Sequence, residues 1–246
     1  MHIIKLNAID STNSYLKKEA LKKRLKSYTV VMANHQQMGR GQMGTSWDSD
    51  KGKNLTISIL VNFNNFKIEH QFYLSMAVSL GVLTVVNQYV KTMLFIKWPN
   101  DILAVKDKVA GILIENVLKG NHIDYTVIGV GLNVNQTEFN PSLSNITSLK
   151  KITGRHFDLD EIVSKLIASI QSFVNYIESK DFKKLKQLYI NELYKFNKPA
   201  MFKDNNGVLF LGKITDIADD GRLVVTLENE TTRKFNLKEI KFASHK

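Results

Sequence analysis

The 246-residue chain has no cysteine. That absence excludes disulfides, thiolate metal sites and a cysteine nucleophile together. Proline is scarce, at positions 99, 141 and 199 only, and each fixes a turn or a break. No long apolar run exists either. Every strongly apolar stretch is interrupted by Lys, Gln or Asn well short of the ~20 residues that a membrane span needs. The start, Met1 to Asn7, lacks a signal-peptide core. The expectation is a cytoplasmic protein without membrane contact. Arginine is thin as well. Arg24 and Arg40 alone precede Arg155, and lysine carries most of the net charge of +11. Its clusters, such as Lys17-Lys18, Lys22-Lys23 and Lys183-Lys184, are spread along the chain. They fit solvated faces first and an acidic protein partner second. Nucleic-acid surfaces usually lean on arginine with interleaved aromatics.

What is present fits a soluble globular protein, with 43% hydrophobic and 23% charged residues. The length allows one core of roughly 150–200 residues and a small appendage. No internal repeat or low-complexity linker divides the chain.

Ile3 to Leu6 reads as a short strand. Asp10-Ser11-Thr12-Asn13 then supplies N-cap chemistry for a helix running to about Arg24. Ser11 and Thr12 have two readings, a helix cap or hydroxyls binding a small polar ligand at the helix start, and the two can coexist. Tyr28 to Ala33 is a buried strand. Residues 34–47 follow, with Gly39, Gly41 and Gly44 around Arg40. This reads as a flexible loop whose N–H groups can wrap an anion; by itself G-R-G is also an ordinary turn. Asn54 to Asn62 is a strand and Gln71 to Val90 a helix apolar nearly all round, buried against a sheet. Tyr125 to Val134 is a further strand. Its Gly129 and Gly131 share one face, leaving space for a ligand, another backbone or the buried helix.

The centre of the chain is residues 97–116, KWPNDILAVKDKVAGILIEN. Pro99 makes Trp98 to Asp101 a rigid corner. Ile102 to Val105 and Val109 to Ile114 are two short strands joined by a Lys106-Asp107-Lys108 turn. Asn100 and Asp101, a lysine at 108 and Gly111 on one hairpin suit Mg²⁺ and a nucleotide phosphate. The plain alternative is a hairpin with a solvated lysine.

Residues 136–157 are polar and loop-like, with turns at Pro141 and Asn145. Two helices follow, Leu159 to Glu178 and Asp181 to Tyr194. After a break at Asn197-Lys198-Pro199, short strands cover Val208 to Ile217, Leu223 to Leu227 and Thr232 to Phe235. The boundary falls between 1–196 and 197–246.

Lys97 to Asp101 followed by Lys108 to Glu115, K-W-P-N-D then K-x-A-G-I-L-x-E, resembles the central signature of the biotin–protein ligases. D-S-T-N at 10–13, the loop with Gly39, Arg40, Gly41, Gly44 and Trp47, and G-x-G-x-N at 129–133 resemble further segments of that family in the same order. Gln42 stands where many of these ligases have a second arginine, and Thr45 also departs from the pattern. The resemblance implies an α+β fold, a class II synthetase-like mixed or antiparallel sheet packed with helices, plus a small C-terminal SH3-like β-barrel. It implies two substrates, biotin and ATP, with Mg²⁺. Lys108, Arg40 and Asp101 would be catalytic. Ser11, Thr12, Asn13, Gln36, Gly39, Arg40, Gly41, Lys108, Gly111, Gly129 and Gly131 would hold biotin. Arg40, Trp47, Asn100, Lys108 and Asn133 would meet ATP, and Asp101 would hold Mg²⁺ through water. Trp47 has a second reading, a core tryptophan behind the loop. The partner would be a biotin carboxyl carrier protein, the biotinyl domain of a carboxylase; the family includes monomers and homodimers. Because the pattern begins at Asp10, the expectation is a form without the N-terminal helix-turn-helix domain of repressor-type members, hence without nucleic acid.

Two rivals stand beside this reading. One is lipoate or octanoate transfer on the same superfamily fold. The octanoyltransferase cysteine and the lipoate-ligase motif R-R-x-S-G-G-G are both missing from the sequence. The other is a non-catalytic small-molecule sensor, such as a biotin-binding one, or a lysine-rich nucleic-acid-binding module, which would not turn over ATP.

Overall fold

The structure, a computed structural model, describes residues 2–243. β1 (His2–Ile9), β2 (Thr29–Gln36), β3 (Leu55–Lys67), β4 (Leu94–Lys97), β5 (Asp101–Ala104), β6 (Asp107–Lys119) and β7 (His122–Leu132) form a seven-stranded sheet. Its order is β1-β2-β3-β7-β6-β5-β4. β1 and β2 are parallel, with α1 (Thr12–Lys22) making the crossover, and every other pair is antiparallel.

Alternation along the strands assigns the two faces. Ile57, Ile59 and Val61 of β3 and Ile128 and Val130 of β7 point into the main core. There α2 (Gln71–Val86), α4 (Leu159–Glu178) and α5 (Phe182–Asn191) cover the sheet. α2 and α4 cross closely because residue 81 is glycine: a Cβ there would stand 2.9 Å from Ile170 Cα. One residue out of phase, Val31, Leu60 and Val127 face the other way, against Leu16 of α1. α1 covers only part of this second face, and the functional cavity occupies what it leaves open.

The C-terminal residues make a second, antiparallel sheet consistent with an SH3-like barrel. β8 (Pro199–Asp204), β9 (Leu209–Ile217), β10 (Leu223–Leu227), β11 (Thr232–Phe235) and β12 (Ile240–Phe242) run in the order β11-β10-β9-β8-β12. Phe202, Phe210, Phe235 and Phe242 pack ring on ring inside it. Among the hydrogen bonds that join this part to the rest, the Tyr73 hydroxyl donates to Asp219 Oδ1 at 3.2 Å and Lys186 Nζ to Asp216 Oδ2 at 3.1 Å. Trp98 Nε1 donates to the Gly221 carbonyl at 2.9 Å, and Lys238 Nζ donates to the Met43 carbonyl at 2.7 Å.

The α+β class and mixed sheet agree with the sequence reading; several boundaries move. α1 stops at Lys22 because Lys23 turns extended. α2 ends at Val86, and tighter turns carry the still-buried Val90 onward. β3 runs past Asn62 to Lys67 through an irregularity that keeps Phe66 buried. The 136–157 segment contains a short helix, α3 (Leu149–Thr153), capped by the Ser148 hydroxyl. Pro199, expected as a break, begins β8, a position where its missing N–H is tolerated. The hairpin turn is Val105-Lys106, so Lys108 lies on β6 and not in the turn.

Candidate active site

The cavity, about 260 Å³, opens on the second face of the large sheet. Glycines make its floor. Gly129 and Gly131 of β7 stand opposite Leu113 and Gly111 of β6. A Cβ on Gly129 would lie 2.6 Å from Asn13 Oδ1, and one on Gly131 would enter the Trp47 indole. Of the readings open for these glycines, the close approach is by two side chains.

The start of α1 supplies a buried polar row. Ser11 Oγ caps the helix, accepting from the Ser14 N–H at 3.5 Å. The Thr12 N–H and hydroxyl both donate to Gln36 Oε1, at 2.7 and 2.9 Å. Ser58 Oγ lies 2.5 Å from Asn13 Oδ1 and 2.7 Å from Thr12 Oγ1, and its single proton serves one of them at a time. The network offsets the cost of burying these groups. Ser11 thus caps the helix and also lines the cavity, beside Thr12 and Asn13.

At the other end the charges gather. Lys108 Nζ is 2.7 Å from Asp101 Oδ1. In a regular strand, residues 108 and 111 would face opposite sides. The ladder pairs Ile102 with Ala110 but Leu103 with Lys108, leaving Val109 as the extra residue of a β-bulge. The bulge turns Lys108 onto the face of Gly111 and Asp101, and Val109 is fully buried beneath it. Backbone bonds to the 136–157 segment hold the bulge: Lys108 N–H donates to the Asn145 carbonyl at 2.7 Å, and Thr147 N–H to the Lys108 carbonyl at 2.9 Å. Asn100 Nδ2 donates to the Ile112 carbonyl at 2.6 Å, fixing the corner against β6.

Arg40 reaches from the loop to Glu115, Nη2 to Oε2 at 2.9 Å. The same carboxylate accepts from Asn13 Nδ2 at 2.8 Å and from Lys17 Nζ at 3.1 Å. Burial pushes the Glu115 pKa up, but the hydrogen bonds from Asn13 and Lys17 and the Lys17 and Arg40 charges together outweigh it. The net shift is downward. Trp47 lies over the glycine floor with Lys108 Nζ 5.6 Å from a ring centroid. Its indole N–H is buried without an acceptor among the described residues.

The loop itself differs from the expected flexible anion wrap. The Gly41 N–H is spent on the Thr45 carbonyl at 2.7 Å and the Trp47 N–H on the Gly39 carbonyl at 2.9 Å. A one-turn 3₁₀ segment, Gln42–Gly44, closes its tip, and Thr45 pins that turn through its hydroxyl on the Gln42 carbonyl at 2.9 Å.

Most of the expected residues come together here. Ser11, Thr12, Asn13, Gln36, Arg40, Gly41, Trp47, Asn100, Asp101, Lys108, Gly111, Gly129 and Gly131 all line the cavity. Two do not. Gly39 is buried against the Trp47 carbonyl. Asn133 lies beyond the end of β7 with its Nδ2 on the Thr147 carbonyl at 3.0 Å, so it fastens the 136–157 segment and does not reach the cavity. Glu115 and Ser58 were not among the expected site residues. Glu115 was visible as the last residue of K-x-A-G-I-L-x-E, with no role attached to it, and Ser58 as a hydroxyl in phase with Thr56. Among the described residues no group of three His, Cys, Asp or Glu can hold a metal. Asp101 with Asn100 fits Mg²⁺ arriving on phosphate oxygens with its waters, which needs only one or two protein ligands.

A mixed α+β fold carrying this polar, glycine-floored cavity, followed by a small antiparallel sheet, defines the class. The sequence pattern of the biotin/lipoate A/B protein ligase family matches residues 6–133. The chain belongs to that family. It is 27% identical over 209 residues to the bifunctional ligase/repressor BirA of Bacillus subtilis, covering 84% of this chain and 63% of that protein. To the biotin–[acetyl-CoA-carboxylase] ligase of Mycobacterium tuberculosis it is 32% identical over 148 residues, 58% of this chain and 53% of that one. It thus spans less than two thirds of the length of either relative. The structure of the biotin protein ligase of Aquifex aeolicus in complex with biotin and ATP superposes with a TM-score of 0.80 at 25% identity, covering 99% of both chains.

Proposed function

We propose that the protein is an ATP-dependent biotin–protein ligase. The observation that carries this reading is the meeting, in one cavity, of the buried Ser11–Asn13 row with Lys108, Arg40 and Asp101. Similarity over the whole chain to a ligase described with biotin and ATP supports it.

The biotin carboxylate oxygen attacks the α-phosphorus of ATP, forming biotinyl-5′-AMP as pyrophosphate leaves. A lysine ε-amine of the acceptor then attacks the acyl carbon, giving an amide and releasing AMP. The first step joins two anions, so the chain must offset charge before it can align them. Lys108 bridges the carboxylate and the α-phosphate, exchanging or sharing Asp101 as its partner, and Arg40 adds a second positive charge. Thr12, Asn13 and Gln36 meet biotin's ureido group, whose burial without partners would cost on the order of 1–3 kcal/mol per polar group. Trp47 offers an aromatic face for the adenine. Asn100 and Asp101 would hold Mg²⁺ through its waters; when bound, that ion supplies charge neutralisation on the phosphates.

The acceptor is a biotin carboxyl carrier domain, and an acidic one would complement the net charge of +11. The second sheet, drawn from residues 199–242, supports a division into a catalytic part, 1–196, and an SH3-like part, 197–246. No helix of the described residues is long and apolar enough to cross a membrane, in keeping with action in the cytoplasm.

The test is biotin-dependent exchange of labelled pyrophosphate into ATP with Mg²⁺, with lipoate and octanoate run in parallel. Exchange with biotin alone supports the reading. Exchange with lipoate or octanoate instead would assign a different acid to the same cavity. No exchange with any acid would favour a non-catalytic binding protein.

A further inference from the structure

Glu115 closes the K-x-A-G-I-L-x-E stretch, yet the chemistry above gives it no task. It sits on β6 in phase with Gly111 and Leu113, and so faces the cavity side of the sheet. One of its oxygens, Oε2, serves two groups at once. Asn13 Nδ2 donates to it at 2.8 Å and Arg40 Nη2 at 2.9 Å. A carboxylate only accepts, so the Asn13 amide has to turn its nitrogen toward Glu115 and its oxygen toward Ser58. Arg40 belongs to the loop whose tip stands over the cavity, and among the described residues its ion pair is with Glu115. One side chain thus orients a polar group of the pocket and fastens the loop across its mouth.

We propose that Glu115 is a positioning residue that governs how long a small ligand stays in the cavity, by tying Arg40 and the 39–47 loop to β6 while setting the Asn13 amide. The identity of the ligand, biotin, rests on the function proposed above; the tie between loop and strand does not.

Two measurements on the purified full chain decide it. In the first, biotin dissociation is followed by stopped-flow tryptophan fluorescence in the wild type, Glu115→Gln, Arg40→Ala and the double variant. Charge-assisted hydrogen bonds lost at a partly exposed pair should speed release about five- to tenfold in Glu115→Gln. Arg40→Ala should do much the same, and the double variant little more than either, because both remove one tie. A merely structural loss at Glu115 would instead add its effect on release to that of Arg40→Ala. Unchanged release in Glu115→Gln, or additive effects, would overturn the proposal.

The second measurement needs no ligand. Trypsin cleavage after Arg40 should be faster in Glu115→Gln than in the wild type, and equal rates would overturn the tie. If the wild type binds no biotin, the function proposed above fails, while the trypsin comparison still decides whether Glu115 holds the loop.

Discussion

The Lys108 ammonium lies 2.7 Å from Asp101 Oδ1 because Val109 is an extra residue in β6. Without that bulge the lysine would point into the helix-covered core. Bulges are common beside active sites, where they re-aim a side chain at the expense of one ladder position. Here the re-aimed group is the cation assigned to the reacting anions.

Lys108→Ala should slow biotin-dependent pyrophosphate exchange by roughly 10²–10³, the usual loss for one well-placed charge-stabilising group. Circular dichroism should show the fold retained, since Lys108 contributes a partly exposed side chain while its backbone bonds to Asn145 and Thr147 remain. Exchange within a factor of three of the wild type would remove Lys108 from the reaction.

Gly131→Ala puts a methyl group into the Trp47 indole. The ring must lift from β7, and if the ~1–3 kcal/mol cost of overpacking falls on the liganded form, biotin binding weakens about tenfold or more. Titration with biotin, read by the fluorescence of the chain's two tryptophans, gives the answer. Wild-type affinity would mean the indole moves aside freely.

The Glu115 pKa is held below its ordinary value of 4.5 in the folded protein. A depressed carboxylate contributes stability above its unfolded pKa and loses it as pH falls through the folded one. The stability difference between wild type and Glu115→Gln, with Lys17 and Arg40 the cations involved, should therefore be full at pH 6 and shrink below about pH 4.5. Urea unfolding of both proteins across that window measures it; a difference independent of pH would mean the charge plays no part.

Trp98→Phe removes the donor to the Gly221 carbonyl and with it a hydrogen bond between the two sheets. A buried acceptor left unpaired costs about 1–3 kcal/mol. The melting temperature should fall accordingly, and no change would show that water replaces the indole N–H.

Transfer to an acidic carrier domain should slow as salt rises, since screening weakens attraction to a chain of net charge +11. Pyrophosphate exchange, which needs no protein partner, should change far less. Equal salt dependence of both steps would argue against electrostatic capture of the carrier.

Local signals made much of this molecule legible. β-branched runs read as strands, the apolar Gln71 stretch as a buried helix, and D-S-T-N as a helix start, because each depends on neighbours within a turn or a strand. The glycines at 129 and 131 were readable as a close approach, but not what approaches: Asn13 and Trp47 arrive from distant parts of the chain. The surroundings of Asn133 were hidden for a related reason. Its place in G-x-G-x-N resembles a phosphate contact, whereas its amide is spent on Thr147 in a segment that reads as plain loop.

By itself, then, the sequence determined the order of the elements and the residue types the site can use, set by local periodicity, capping and turn chemistry, while the α+β class followed from the family resemblance its motifs carry. Tertiary structure decided which of them meet. The bulge that aims Lys108 depends on how β5 and β6 pair, and the 136–157 segment holds it from the side. The tie from Arg40 to Glu115 spans 75 residues of chain. Such contacts arise only when strands far apart in sequence register against one another, and no local pattern encodes that register.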